Sequence, residues 1–149
     1  MSDFPLNAVS VAVVGSRHGS PFGPGAFALA VARAGGQVVT GCAAGVDSAA
    51  AAAAAGHVRV IRAESPAAWA LAKRTGQVVA AAAAVAVFPP ASGVPGKGSA
   101  LALRLALARG VPVFVAGPVS PAGAGWSAAT VGGCVGWLHV APPAMPRLI

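Results

Sequence analysis

Two apolar runs, each closed by a glycine turn that opens into a helical stretch, constrain this chain more than any other feature. Val9-Ser10-Val11-Ala12-Val13-Val14 runs into Gly15-Ser16-Arg17. Gln37-Val38-Val39 runs into Thr40-Gly41-Cys42-Ala43-Ala44-Gly45-Val46-Asp47. A short run of Val and Ala bounded by glycine reads as a buried strand. A strand that hands over to a helix through glycine presents main-chain N–H groups and the positive end of a helix dipole at one point. That combination is a natural anion site. Arg17 adds a permanent cation at the tip of the first turn. The two turns are expected side by side, cradling a phosphorylated ligand.

The same alternation continues along the chain. Strands are expected at Ala8–Val14, Gln37–Thr40, Val58–Ile61, Val85–Phe88 and Val111–Ala116. Helices are expected at Gly25–Ala34, stopped by Gly35-Gly36, and at the alanine-rich Val46–Ala55. Pro66 is placed to open a helix running to about Lys73, with a second helical piece over Gln77–Ala82. Pro89–Gly98 reads as a loop, after which Ser99 caps a helix to Arg109 that Gly110 ends. Gly117–Gly136 shows no clear period, and Trp137–Val140 is one last strand before a proline-rich tail. Nearly all-apolar strands alternating with helices predict an α/β Rossmann-like three-layer domain, its mostly parallel sheet covered on both faces. One domain is expected over 1–149, with a core at about 8–117 and a Gly/Pro-rich extension at 118–149. Ligands of such sheets bind beyond the carboxyl ends of the strands, where the turns at Gly15, Gly41 and Pro89 lie.

Charge narrows the partners and the chemistry. Ten Lys+Arg face three Asp+Glu for a net charge of +7, in a chain that is 56% hydrophobic and 9% charged. A basic balance points to an anionic partner. The three acids are Asp3, Glu64 and Asp47, and only Asp47 sits by a glycine turn. Paired carboxylates for glycoside cleavage or an acidic cluster for magnesium cannot readily be assembled from these three. Asp47 is read first as a cap of its helix, with a ribose or base contact as the alternative. His18, His57 and His139 have no metal-ligand spacing, and His18 reads as a solvated loop side chain. Cys42 and Cys134 form no C-x-x-C pair, and Cys42 reads as a small packed hydrophobe. No catalytic residue, metal or cofactor is expected. Gly41-Cys42-Ala43-Ala44-Gly45 is not a nucleophile elbow, because Ala43 holds the serine position. Gly96-Lys97-Gly98-Ser99 is not a Walker motif, since Ala91 replaces its first glycine and Gly98 splits the Lys-Ser pair. As a Gly-Lys-Gly loop entering a helix it remains an anion contact. The start of the chain has no signal-peptide pattern, and the charge-free stretch from Thr75 to Gly96 is broken by prolines and glycines. No membrane span and a cytoplasmic setting are expected. The helix from Ser99 to Arg109 is apolar on two faces, which predicts a homo-oligomer.

Taken in order, Val13-Val14-Gly15-Ser16-Arg17, Gly23 and Val39-Thr40-Gly41-Cys42-Ala43-Ala44-Gly45-Val46-Asp47-Ser48-Ala49-Ala50 resemble the Rossmann-like domain of the DNA-processing DprA (Smf) family. Arg74, the strand to Phe88, Gly98-Ser99 with its helix, and Val113-Phe114-Val115 continue the resemblance over roughly Val9 to Gly117. That family belongs to the SLOG superfamily, with the LOG "lysine decarboxylase-like" phosphoribohydrolases. The resemblance implies a nucleotide or nucleic-acid ligand at Gly15, Ser16, Arg17, Gly41, Gly45, Asp47, Arg74, Gly98 and Ser99, to which the loop reading adds Lys97. Ala44 stands where DprA-like chains commonly have arginine, Ala51 near a usual histidine, and Arg74-Thr75-Gly76 in place of Arg-Asn-Arg. The LOG signature P-G-G-x-G-T-x-x-E is absent. These departures order the readings. A nucleotide-type ligand comes first, with sensing of that ligand as one role. Single-stranded DNA comes second, and a nucleoside-monophosphate phosphoribohydrolase last.

Overall fold

The computed structural model describes residues 4–41 and 44–140. The chain runs β1 (Val11–Gly15), α1 (Pro24–Arg33), β2 (Val38–Gly41), α2 (Val46–Ala53), β3 (Val58–Ile61), α3 (Ala68–Ala80), β4 (Ala84–Phe88), α4 (Lys97–Arg109), β5 (Val113–Ala116), β6 (Trp126–Val131) and β7 (Cys134–His139). One seven-stranded sheet has the order β3-β2-β1-β4-β5-β7-β6. The first five strands are parallel, and β7 pairs antiparallel with both β5 and β6. The α/β three-layer expectation therefore holds, with helices on both faces.

The two faces are packed differently. Beneath α1 and α2 lies an aromatic core, in which Phe27 stacks on Phe114 at 5.8 Å and meets Phe88 edge-on at 5.3 Å. Such pairs add specific ring geometry to simple area burial. Beneath α3 and α4 the core is built from Val78, Val79, Ala102 and Ala106 against Val85, Val87, Val113 and Val115. Alanines on α4 let that helix approach the sheet closely. Its leucines Leu103, Leu105 and Leu107 are partly buried against the same core. The two-sided apolarity seen in the sequence is thus largely used within the chain.

Local differences from the sequence expectation have identifiable causes. α1 stops as expected: Gly35 (φ 87°) lets its N–H reach Ala32 O at 3.1 Å and the Gly36 N–H reach Val31 O at 2.9 Å. That is the paired hydrogen bonding of a Schellman end. The two helical pieces expected around Gly76 are one helix, α3, and Pro66 lies outside it. Gly76 is tolerated because the apolar face of Ala70, Val78 and Val79 stays in phase and is buried on both sides of it. Ser99 is not the cap of α4. Gly96 takes that place, and Ser99 lies buried within the first turn. Asp47 does not take the cap position of α2 either. Gly45 does, and Asp47 sits in the first helical turn. The aperiodic stretch before Trp137 contains a full strand, β6, folded back on β7 through Gly132-Gly133. The expectations for Cys42, Ala43 and the proline-rich tail lie outside the described residues.

Candidate functional site

The strand order reverses between β1 and β4, where successive crossovers leave the sheet in opposite directions. In open α/β sheets this point leaves a crevice at the carboxyl ends of the strands. A cleft of about 460 Å³ opens there. Its described lining includes Gly15, Ser16, Arg17, Gly41, Asp47, Arg74, Lys97, Gly98 and Ser99. Of the site positions read from the sequence, only Gly45 does not line it.

Gly45 has another task, which is to hold the two glycine turns together. Its φ is 73°, and a Cβ added there would fall 2.4 Å from Ser16 O and 2.5 Å from Arg17 O. The adjacent Val46 N–H donates to Ser16 O at 3.0 Å. The second turn is therefore docked onto the backbone of the first, and the side-by-side arrangement rests on a residue without a side chain. Gly15 plays the matching part toward β4. A Cβ there would stand 2.2 Å from Phe88 O, and the Ser16 N–H donates to that oxygen at 3.2 Å. Thr40 ties β2 to β1 from below, its buried hydroxyl donating to Val13 O at 2.7 Å.

Gly41, buried at the end of β2, leaves room for two opposite charges. A Cβ at this position would lie 2.7 Å from Asp47 Oδ2 and 2.8 Å from Arg74 Nε. Asp47 is 6% exposed, while Arg74 is half-buried and reaches the site from α3. The carboxylate and the guanidinium converge on one point of the cleft. The acid sits where the positive end of α2 favours negative charge.

The far wall is the start of α4. Gly96, Lys97, Gly98 and Ser99 all line the cleft. The first N–H groups of a helix have no acceptor within it, so this turn offers donors and the positive end of a 13-residue helix. Lys97 and Gly98 are exposed, and Ser99 is 7% exposed. Arg17 is exposed on the opposite rim. Among the described lining residues, three cations, Arg17, Arg74 and Lys97, thus share one cleft with one carboxylate.

Several lining residues escape sequence reasoning. His18 is exposed, as a solvated loop side chain should be, yet it lines the cleft, and its main-chain N–H donates to Ser16 Oγ at 3.1 Å. Thr75 and Val78 line the cleft from α3 beside Arg74. A break at Gly76 would hide that these three share a helix and a face. Among the described residues no group of His, Cys, Asp and Glu is clustered to hold a metal. No helix among them is long and apolar enough to cross a membrane.

No model of a known protein family matches the chain, and no curated protein matches it. The fold is similar to that of DNA processing protein A from Helicobacter pylori, a structure described for its unique single-stranded DNA binding mode. The likeness has a TM-score of 0.66 at 20% sequence identity and covers 79% of this chain and 70% of that one. At that identity it establishes a DprA-like fold.

Proposed function

We propose that the cleft binds the phosphate backbone of single-stranded DNA, as part of a DprA-like domain of the SLOG superfamily working in the cytoplasm. The observation that carries this reading is the collection of Arg17, Arg74, Lys97 and the first turn of α4 around one opening. Every one of these groups is suited to hold phosphate. Among the described lining residues there is no Phe, Tyr or Trp, so the cleft offers no platform on which bases stack, and what it offers a strand is contact with its phosphates. Backbone contacts position a strand without specifying its sequence. The similar fold in a protein described for single-stranded DNA binding supports the same order of preference.

A second reading rests on the size of the cleft. About 460 Å³ falls in the range of roughly 300–1,000 Å³ usual for small-molecule sites, which favours a nucleotide or nucleotide-derived ligand. The two readings separate on salt. Each phosphate contact on a single strand adds about −0.7 to the slope of log affinity against log salt. A mononucleotide held by main-chain N–H groups and about one cation depends on salt far less. Fluorescent oligothymidine and labelled nucleotides are titrated across a salt series. Oligonucleotide binding with a slope of about −2, matching three cations, and poor competition by mononucleotides supports the DNA reading. Saturable nucleotide binding that is insensitive to salt and blocks the oligonucleotide makes the small ligand the better assignment.

A further inference from the structure

The sheet ends on two unlike edges, β3 and β6. On β3, Arg59 and Val60 are exposed, with exposed His57 and Arg62 at either end. Charge on an edge strand discourages pairing with another chain. β6 reads Trp126-Ser127-Ala128-Ala129-Thr130-Val131 and carries neither charge nor proline. From Gly110 to Leu138 the chain has no Asp, Glu, Lys or Arg at all.

The hydrogen bonding of the hairpin fixes which groups of β6 face outward. Gly132 and Gly133 both have positive φ, 57° and 80°, and make the two-residue turn that joins Val131 to Cys134. Thr130 stands opposite Val135, whose carbonyl accepts the Gly117 N–H at 3.0 Å on the side of β5. That carbonyl therefore points away from β6. Antiparallel pairs alternate between bonded and non-bonded. Thr130, Ala128 and Trp126 accordingly turn their own N–H and C=O groups away from β7, along the open edge.

We propose that this edge pairs antiparallel with β6 of a second copy of the chain. Ala128 would lie opposite Ala128 of the other copy, and Trp126 opposite Thr130. The three outward positions are symmetric about Ala128, so a two-fold axis there satisfies every outward group with an identical strand. The small side chain at the axis lets the strands approach, and no like charges meet. Half-buried Trp126, and exposed Val135 across the hairpin, lie on the same side of the joined sheet. One short ladder buries less than the roughly 1,000 Å² of a stable interface, so the dimer is a weak one that dilution dissociates. It does not depend on the ligand, because the cleft opens between β1 and β4, away from this edge.

Sedimentation of the full chain over a concentration series tests it. The mass should climb from 14.2 kDa toward twice that value. Ala128→Pro removes one outward N–H and no bond to β7, and should leave a monomer at every concentration. Ala128→Lys places like charges at the axis and should do the same, which decides the matter should the proline variant not fold. Arg59→Ala on the opposite edge should leave the parent's mass unchanged. A parent that stays monomeric overturns the proposal, and so does an Ala128→Lys variant that dimerises like the parent. Loss of dimer in Arg59→Ala would move the interface to β3 and overturn it too. A monomer whose Trp126, Ala128 and Thr130 amides resist hydrogen exchange would show another segment of the chain covering the edge, which likewise overturns the proposal.

Discussion

Arg74 and Gly41 are placed against each other: a methyl group on Gly41 would stand 2.8 Å from Arg74 Nε. A methyl there would also stand 2.7 Å from Asp47 Oδ2. Both neighbours are side-chain atoms rather than backbone, so they can shift, and the site must change when they do. Gly41→Ala should therefore act on binding more than on folding. The expected outcome is oligonucleotide affinity weaker by roughly tenfold, about 1.4 kcal/mol. Stability should fall by about 1 kcal/mol, the lower end of overpacking costs. Titration and a thermal melt on the same preparation check both, and unchanged affinity would count against the assignment of Arg74 to the site.

Arg17 tests the opposite rim. It is exposed, so its side chain is not part of the packed core. Arg17→Ala should leave the melting temperature where it is and weaken the ligand. If a phosphate contact is lost, the salt slope for oligothymidine should shrink by about 0.7. Equal affinities for mutant and parent would remove Arg17 from the site.

Much of this site is legible in the sequence because each part rests on local chemistry. An apolar run followed by Gly15-Ser16-Arg17 can be read without tertiary information, and so can Gly45-Val46-Asp47 opening a helix. What the run of letters does not show is which glycines matter for which reason. Gly45 looks like a cradle residue in the sequence and is a clamp on Ser16 and Arg17 in the fold. Arg74 can be placed by resemblance but not by pattern, since its neighbours Thr75 and Val78 become visible only once α3 is continuous through Gly76. β6 is hidden because Ala128 and Ala129 blur the alternation that marks a strand. Its one local signal is Gly132-Gly133 between Val131 and Cys134, the glycine pair of a tight hairpin.

Cys134 gives a pH prediction. It is 5% exposed, its thiol donates to Gly23 O at 3.3 Å, and burial raises its pKa above the ordinary 9.0. A raised folded-state pKa means that the unfolded chain loses this proton first. The thiol's contribution is complete below the unfolded value and is lost as pH rises through the folded one. Stability should therefore sag on the alkaline side of the ordinary thiol range. Urea unfolding of Cys42→Ser against Cys42→Ser/Cys134→Ala across that range checks it. The first should show the sag and the second should not, and parallel curves would rule out Cys134 as its source.

The last prediction separates the glycines that the backbone requires from one that it does not. Gly45 combines a positive φ of 73° with main-chain oxygens of Ser16 and Arg17 where a Cβ would go. Gly15 faces the rigid carbonyl of Phe88 at 2.2 Å. Backbone cannot step aside as a side-chain tip can. Gly45→Ala should carry about 1–3 kcal/mol of backbone strain before any clash is counted. Gly15→Ala should cost about 1–3 kcal/mol from overpacking alone. Gly98, although predicted from the same kind of sequence pattern, has nothing within 4 Å of an added Cβ and lies in the first turn of α4. Alanine there narrows the unfolded ensemble and fits the helix, so Gly98→Ala should stabilise the protein by about 0.4–1 kcal/mol. Chemical denaturation of the three variants ranks them directly. The expected order is Gly98→Ala above the parent, with Gly15→Ala and Gly45→Ala below it. A Gly98→Ala variant as unstable as Gly45→Ala would mean that the start of α4 is packed against something beyond the residues that line this cleft.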